Sequence, residues 1–267
     1  MKYLEYFGMK RCPFGDDIEA KNLLALPGTV AVKNRIDYVL GIGGVMVVTG
    51  DVGSGKSTSI RWSLSRYHKS EVNSFYVTAN SGSSNELYKQ LCWSMNLEVK
   101  SGSKAFLLRS FKKAINEILE RNKNKTLIII DEASLLRTDV FSELHTINQF
   151  HFDSQKKFAL VLVGLNTLLD KLKYRTSIPL ASRVMTRTHL RTLTEEQMEE
   201  YIVHRLKNSG VEKNLFTKNA FLAVWQGSGG LFRKANLLAR GALIACLNEG
   251  ENKVTEEHVR VASTELI

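Results

Sequence analysis

Eight residues, Gly50-Asp51-Val52-Gly53-Ser54-Gly55-Lys56-Ser57, constrain this chain more than any other stretch. They follow the apolar run Val45-Met46-Val47-Val48, which reads as a buried strand. They precede Ile60-Arg61-Trp62-Ser63-Leu64, where a helical pattern starts. The spacing G-x-x-x-x-G-K-[ST] between a strand and a helix predicts a loop that wraps phosphate oxygens. Glycines let successive backbone N–H groups turn inward, and the helix that follows adds its positive end. Gly50 to Ser57, together with Thr58, are therefore the candidate nucleotide-binding residues. Lys56 is expected at the β- and γ-phosphates and Ser57 on a Mg²⁺ ion.

A second feature completes the chemistry. Leu127-Ile128-Ile129-Ile130 reads as a fully buried parallel strand, and it ends in Asp131-Glu132. Asp131 is expected to hold the metal ion, and Glu132 to orient and deprotonate an attacking water. ATP with Mg²⁺ is the implied cofactor pair, and ATP hydrolysis the implied reaction. Further strands are expected at 74–78, 158–163 and 184–190. Helices are expected at 30–40, after the loop to about 68, at 84–96 and at 103–121. Alternating strands and helices call for a parallel sheet covered on both faces. From Thr194 the pattern turns to helices alone, at about 194–208, 217–226, 231–248 and 255–264, and Thr194-Glu195-Glu196-Gln197 reads as a capping box. The expected organisation is a nucleotide-binding α/β core over residues 1–192 and a helical subdomain over 193–267. The aromatic amino-terminal segment, with Tyr3, Tyr6, Phe7 and Phe14, is expected to pack on the core or to close over the base.

The net charge is +10. Residues 193–267 hold nine Lys/Arg and ten Glu, so the basic excess lies in residues 1–192. Such segregation points to a polyanionic partner. Lys100 and Lys104 lie on a basic loop that leads into the helix at 103–121, and Lys123 and Lys125 lie after it. All four are candidate contacts to nucleic-acid phosphates, on two loops expected to face a common pore and follow a DNA backbone. No base-reading motif stands out, so binding is expected to be sequence-independent. Three scattered cysteines read as reduced thiols. With no signal segment and no long apolar span, the expected location is the cytoplasm, away from membranes.

Taken together, these motifs resemble those of the AAA+ ATPases, specifically the ExeA/GspA-like group, which includes ATPases of the TniB and TnsC kind. The resemblance is carried by Tyr3-Leu4-Glu5-Tyr6-Phe7-Gly8 with Pro13-Phe14, by Thr49 to Ser57, and by Ile129-Ile130-Asp131-Glu132-Ala133. It continues through Leu162-Val163-Gly164, Ser182-Arg183-Val184 with Arg187, and Ser228-Gly229-Gly230 to Arg233 with Asn236-Leu237-Leu238. It implies an αβα P-loop core with a five-stranded parallel sheet of order 5-1-4-3-2, a carboxy-terminal helical lid, and homo-oligomeric assembly as a ring or filament. It also implies that Arg183 or Arg187 acts in a neighbour's site and Arg233 in its own. Where the group usually has glutamine after Val-Gly this chain has Leu165, so Asn166 becomes the candidate polar sensor. Asn80, ending the second strand, is a weaker candidate for restraining Glu132.

Secretion-type members of the group carry a transmembrane helix and a wall-binding domain after the ATPase, and neither is expected for this chain. Transposition-type members assemble on double-stranded DNA and recruit a transposase. The basic core favours the second kind, an ATP-dependent regulator of transposition. The alternatives are a secretion or envelope-assembly ATPase acting on protein, and a nucleotide-gated scaffold.

Overall fold

The strand that leads into the glycine loop is buried along all of Gly44–Gly50, and its side chains feed two separate cores. The computed structural model describes residues 2–122, 124–150 and 157–265. In chain order the first elements are α1 (Lys2–Tyr6), α2 (Pro27–Ile42), β1 (Gly44–Gly50), α3 (Lys56–Leu64), β2 (Val72–Thr78), α4 (Ser84–Ser94) and α5 (Lys104–Asn122). There follow β3 (Lys125–Asp131), α6 (Thr138–Leu144), β4 (Ala159–Gly164), α7 (Thr167–Lys173), α8 (Ile178–Ala181) and β5 (Val184–Leu190). The carboxy-terminal helices are α9 (Glu195–Asn208), α10 (Lys218–Ser228), α11 (Phe232–Asn248) and α12 (Glu256–Thr264). Every strand and every long helix expected from the periodicity is present. The short helices α6, α7 and α8 were not legible in sequence. Helices of so few turns depend on packing rather than propensity.

The five strands form one parallel sheet in the order β2-β3-β4-β1-β5, the same order as 5-1-4-3-2. Strand side chains alternate between faces, and here both faces are covered. Val45 and Val47, Ile128 and Ile130, and Leu160 and Leu162 enter one core. Met46 and Val48, Leu127 and Ile129, and Val161 and Val163 enter the other, together with Ile36 and Val39 of α2. Two-sided burial is why these strands read as continuous apolar runs. The edge strands β2 and β5 are only partly buried, and their sequences are correspondingly mixed. With β1 between β4 and β5, its carboxyl end lies where the strand order reverses, the place where open α/β sheets bind ligands.

The chain divides into two units, one of residues 27–51 and 56–190, the other of residues 1–26, 52–55 and 191–267. In the second unit, α9–α12 enclose an apolar core that includes Met198, Ile202, Val224, Leu243 and Val259. Thr194 and Gln197 form the expected capping box on α9. The amino-terminal segment also belongs to this unit, and not to the nucleotide-binding core expected over residues 1–192. Tyr3, Met9, Phe14 and Leu26 are buried in the same core as α9–α12. Phe14 meets Phe216 edge to face, with ring centroids 6.4 Å apart. The buried Arg205 of α9 donates to the carbonyls of Pro13 and Gly15, tying the segment down.

This division sharpens the charge pattern. The helical unit carries 14 Lys/Arg and 14 Asp/Glu, which leaves 23 against 13 for the sheet unit, so the whole net charge of +10 resides there.

Candidate functional site

The loop after β1 adopts backbone that only glycine adopts without strain, with φ of +81° at Gly53 and +87° at Gly55. Both glycines also lack room for a side chain. A Cβ at Gly53 would stand 3.0 Å from the Arg233 Cβ, and one at Gly55 would stand 3.0 Å from the Phe232 ring. The sensor arginine expected at the start of α11 is therefore beside this loop segment. Ser54 is buried, and among the described residues its hydroxyl has no hydrogen-bond partner.

Within the sheet unit, Lys56 opens α3 and is only 7 % exposed. Its Nζ donates to the carbonyl oxygens of Gly50 and Asp51, at 2.9 Å each, which holds the ammonium at the loop. One residue on, the Ser57 hydroxyl donates to Asp131 Oδ2 at 2.6 Å. Asp131 is 2 % exposed at the end of β3, and its Oδ1 accepts the Glu132 N–H at 2.8 Å. A hydroxyl paired with a carboxylate is a set of hard oxygen donors that suits Mg²⁺. Positive-φ glycines, a retained lysine and a buried unpartnered Ser54 hydroxyl suit a nucleotide's phosphates. The residues fit both groups.

Glu132 has φ +53° and ψ +30°, left-handed backbone that costs a non-glycine residue roughly 1–2 kcal/mol. Strain of this kind persists where surrounding contacts over-determine it. Two contacts do so here. The Leu135 N–H donates to the Glu132 carbonyl at 2.8 Å, closing a tight turn. Lys171 of α7 then donates to the carbonyls of Ser134 and Leu136, at 2.6 Å each. Burial lowers the pKa of the Lys171 ammonium. Ser134 also accepts the Leu165 N–H at 3.3 Å, joining this turn to the end of β4.

Three residues at this site escaped the sequence reading: Tyr76, Ser134 and Lys171. The Tyr76 hydroxyl donates to Asp131 Oδ2 at 2.6 Å, on the oxygen that Ser57 also uses. Burial, and then the bond to the Asp131 carboxylate, push this phenol up to about 12. Only the β2–β3 register, with Thr78 opposite Asp131, brings Tyr76 within reach.

Other expected residues lie elsewhere. Asn166 is exposed at the start of α7 and makes no capping bond, and no described contact joins it to Asp131 or Glu132. Asn80 is exposed and accepts the Gly82 N–H. Arg183 precedes β5 at the opposite end of the sheet from the loop; its carbonyl accepts the Val45 N–H, and its guanidinium donates to the Pro179 carbonyl at 2.6 Å. Arg187 is exposed, in register with Val47, about 10 Å of strand short of Gly50. Neither arginine is brought to the chain's own loop. Thr58 is exposed on the first turn of α3.

Lys104 opens the 19-residue α5, which is about 28 Å long, and Lys125 follows its far end. Lys104 is paired with Glu143 of α6, and Lys100 lies 3.9 Å from Glu98. Lys125 is exposed, and Lys123 lies outside the described residues.

Residues 42–172 match the family model described as AAA domain. Over 266 residues the chain is 27% identical to general secretion pathway protein A of Aeromonas hydrophila, covering 99% of this chain and 48% of that protein. The chain thus spans about half the length of this curated relative. Among solved structures it is similar to Cdc6p of Pyrobaculum aerophilum, with TM-score 0.74 at 18% identity over 96% of this chain and 70% of that one. It is likewise similar to the ORC1 protein of Aeropyrum pernix in complex with DNA, with TM-score 0.72 at 20% identity over 96% and 69%. These structural likenesses establish the fold. Among the described residues, no helix is long and apolar enough to cross a membrane.

Proposed function

We propose that the chain is an AAA+ P-loop NTPase of the ExeA/GspA-like group and acts as an ATP-dependent, DNA-binding regulator of transposition. Lys56 and the loop amides hold the phosphates, Ser57 and Asp131 hold Mg²⁺, and Glu132 orients and deprotonates the attacking water. The metal ion, when bound, supplies charge to offset what builds on the transferred phosphoryl group. Arg233, against Gly53, serves the chain's own nucleotide. Arg183 and Arg187, remote from their own loop, serve a neighbour's, which requires a ring or filament of copies. Hydrolysis is slow and is stimulated by DNA or by a partner such as a transposase.

The observation that carries the DNA reading is the confinement of the full +10 to the nucleotide-binding unit. A segregated basic unit attracts a polyanion at range, and assembly multiplies weak phosphate contacts. Lys100, Lys104, Lys123 and Lys125 are the proposed contacts. That the similar ORC1 structure contains DNA is in keeping with this reading. The named function of the Aeromonas relative favours a second one, an ATPase of a secretion or envelope system that acts on protein.

Fluorescence anisotropy with duplexes of unrelated sequence, with and without ATP and Mg²⁺, tests the choice. Similar affinity for each duplex is expected, promoted by ATP, with log K falling by about 0.9 per phosphate contacted for each tenfold rise in salt. Changing all four lysines to alanine flattens that slope while ATP binding persists. No binding at low salt with ATP and Mg²⁺ would move the assignment to the protein-directed reading.

A further inference from the structure

Tyr76 is placed like a surface residue and bonded like part of a site. It lies on the edge strand β2, where Val77 is the one fully buried residue, and its own side chain is 46 % exposed. A hydroxyl on so open a residue has water available to it. Instead it donates to the carboxylate of Asp131, a residue 2 % exposed. The reach is set by the parallel register. Thr78 stands opposite Asp131, so Tyr76 is one two-residue step upstream on the same face, about 6.6 Å along the strand. A tyrosine, with its hydroxyl at the end of a rigid ring, spans that step without a long flexible stem.

The bond has a consequence for the carboxylate. Asp131 Oδ1 accepts the Glu132 N–H, and Oδ2 accepts both the Ser57 and the Tyr76 hydroxyls. A carboxylate offers about four lone-pair sites. Three donors therefore fix its rotation and leave one site, on Oδ1, for a further donor such as a water on a hydrated Mg²⁺, which keeps several of its waters. The Ser57 hydroxyl spends its hydrogen on Oδ2, which leaves its oxygen lone pairs to ligate a cation. Without the Tyr76 bond the Asp131 carboxylate is held by fewer donors, and both arrangements lose definition.

We propose that Tyr76 is a positioning residue of the metal half of the site, holding Asp131 in the orientation that receives hydrated Mg²⁺. This inference rests on the reading of Ser57 and Asp131 as the metal-holding pair. It assigns to the edge strand β2 a direct part in how strongly Mg²⁺ couples to nucleotide.

The test is binding rather than turnover. Calorimetric titration with the β,γ-imido analogue of ATP, in Mg²⁺ and in EDTA, gives the factor by which Mg²⁺ strengthens nucleotide affinity. Tyr76→Phe keeps the ring and removes only the donor. It is expected to cut that factor about tenfold, the order expected on losing a hydrogen bond to a charged group. Affinity in EDTA should stay as in the wild type. In an Asp131→Asn background, Tyr76→Phe should cause no further loss, because the tyrosine acts through that carboxylate. A Mg²⁺ factor within twofold of wild type, or an equal loss in the Asp131→Asn background, would overturn the inference while leaving the metal site standing. A wild-type protein whose affinity is indifferent to Mg²⁺ would overturn the metal-site reading itself, and the inference with it.

Discussion

The Lys171 ammonium lies 2.6 Å from the Ser134 carbonyl oxygen, so a helix that follows β4 holds the turn that follows β3. Glu132 is the residue immediately before that turn, in left-handed backbone. Where the resemblance expects a glutamine the chain has Leu165, and Asn166, the candidate to act in its place, is exposed. The physical tie between the end of β4 and the Glu132 turn runs instead through Ser134, which accepts the Leu165 N–H, and through Lys171.

Lys171→Met should therefore slow hydrolysis while sparing nucleotide affinity. The substitution keeps much of the stem's packing but removes two donors from carbonyls of the turn, a loss of about 1–3 kcal/mol for each group left buried and unsatisfied. We expect kcat to fall at least about tenfold with KM for ATP within twofold, and Lys171→Arg to restore part of the rate. Steady-state kinetics on the three proteins checks this. A fall confined to KM would remove Lys171 from the positioning of Glu132.

Lys56→Ala and Glu132→Gln should separate binding from chemistry. Lys56 supplies a point charge to the phosphates, and hydrogen bonds to charged groups contribute about 1.5–3 kcal/mol, so its loss should weaken ATP binding by roughly 10- to 150-fold. Glu132→Gln leaves the loop intact and removes the base, so binding should persist and hydrolysis should stop. Calorimetry on both variants, with a phosphate-release assay, reads the two effects. Equal affinity in wild type and Lys56→Ala would sink the nucleotide site.

Gly55→Ala should damage the loop through backbone as well as contact. Its φ of +87° strains any L side chain, and the added Cβ would meet the Phe232 ring at 3.0 Å. Roughly 1–3 kcal/mol of strain is expected at such a position. Weaker binding of the ATP analogue, at unchanged far-ultraviolet circular dichroism, is the expected outcome.

Arg205→Met should loosen the amino-terminal segment. The guanidinium is 5 % exposed and serves the carbonyls of Pro13 and Gly15, so its loss leaves both without that partner. A destabilisation of about 2–3 kcal/mol is expected in denaturant titration. Limited proteolysis should then cut within residues 1–26 sooner than in the wild type. An unchanged cleavage pattern would mean that the apolar contacts of Tyr3, Met9 and Phe14 hold the segment by themselves.

What could be read from the chain alone is what depends on neighbours in sequence. Glycine spacing, the lysine after it, the apolar runs of β1, β3 and β4 and the capping box at Thr194 are local signals, because backbone sterics and side-chain alternation act over a few residues. They sufficed for the nucleotide loop and for Asp131 with Glu132. Tertiary structure decided everything that depends on which segments meet. The Tyr76–Asp131 bond spans 55 residues and needs one strand register, and the tie from Arg205 to Pro13 spans 192. The length of α5 separates lysines that look adjacent in a charge count, and Glu143 pairs with one of them only because α6 packs nearby. Periodicity states which side of an element is apolar; it carries no information about the polar atom that will face it from a distant part of the chain.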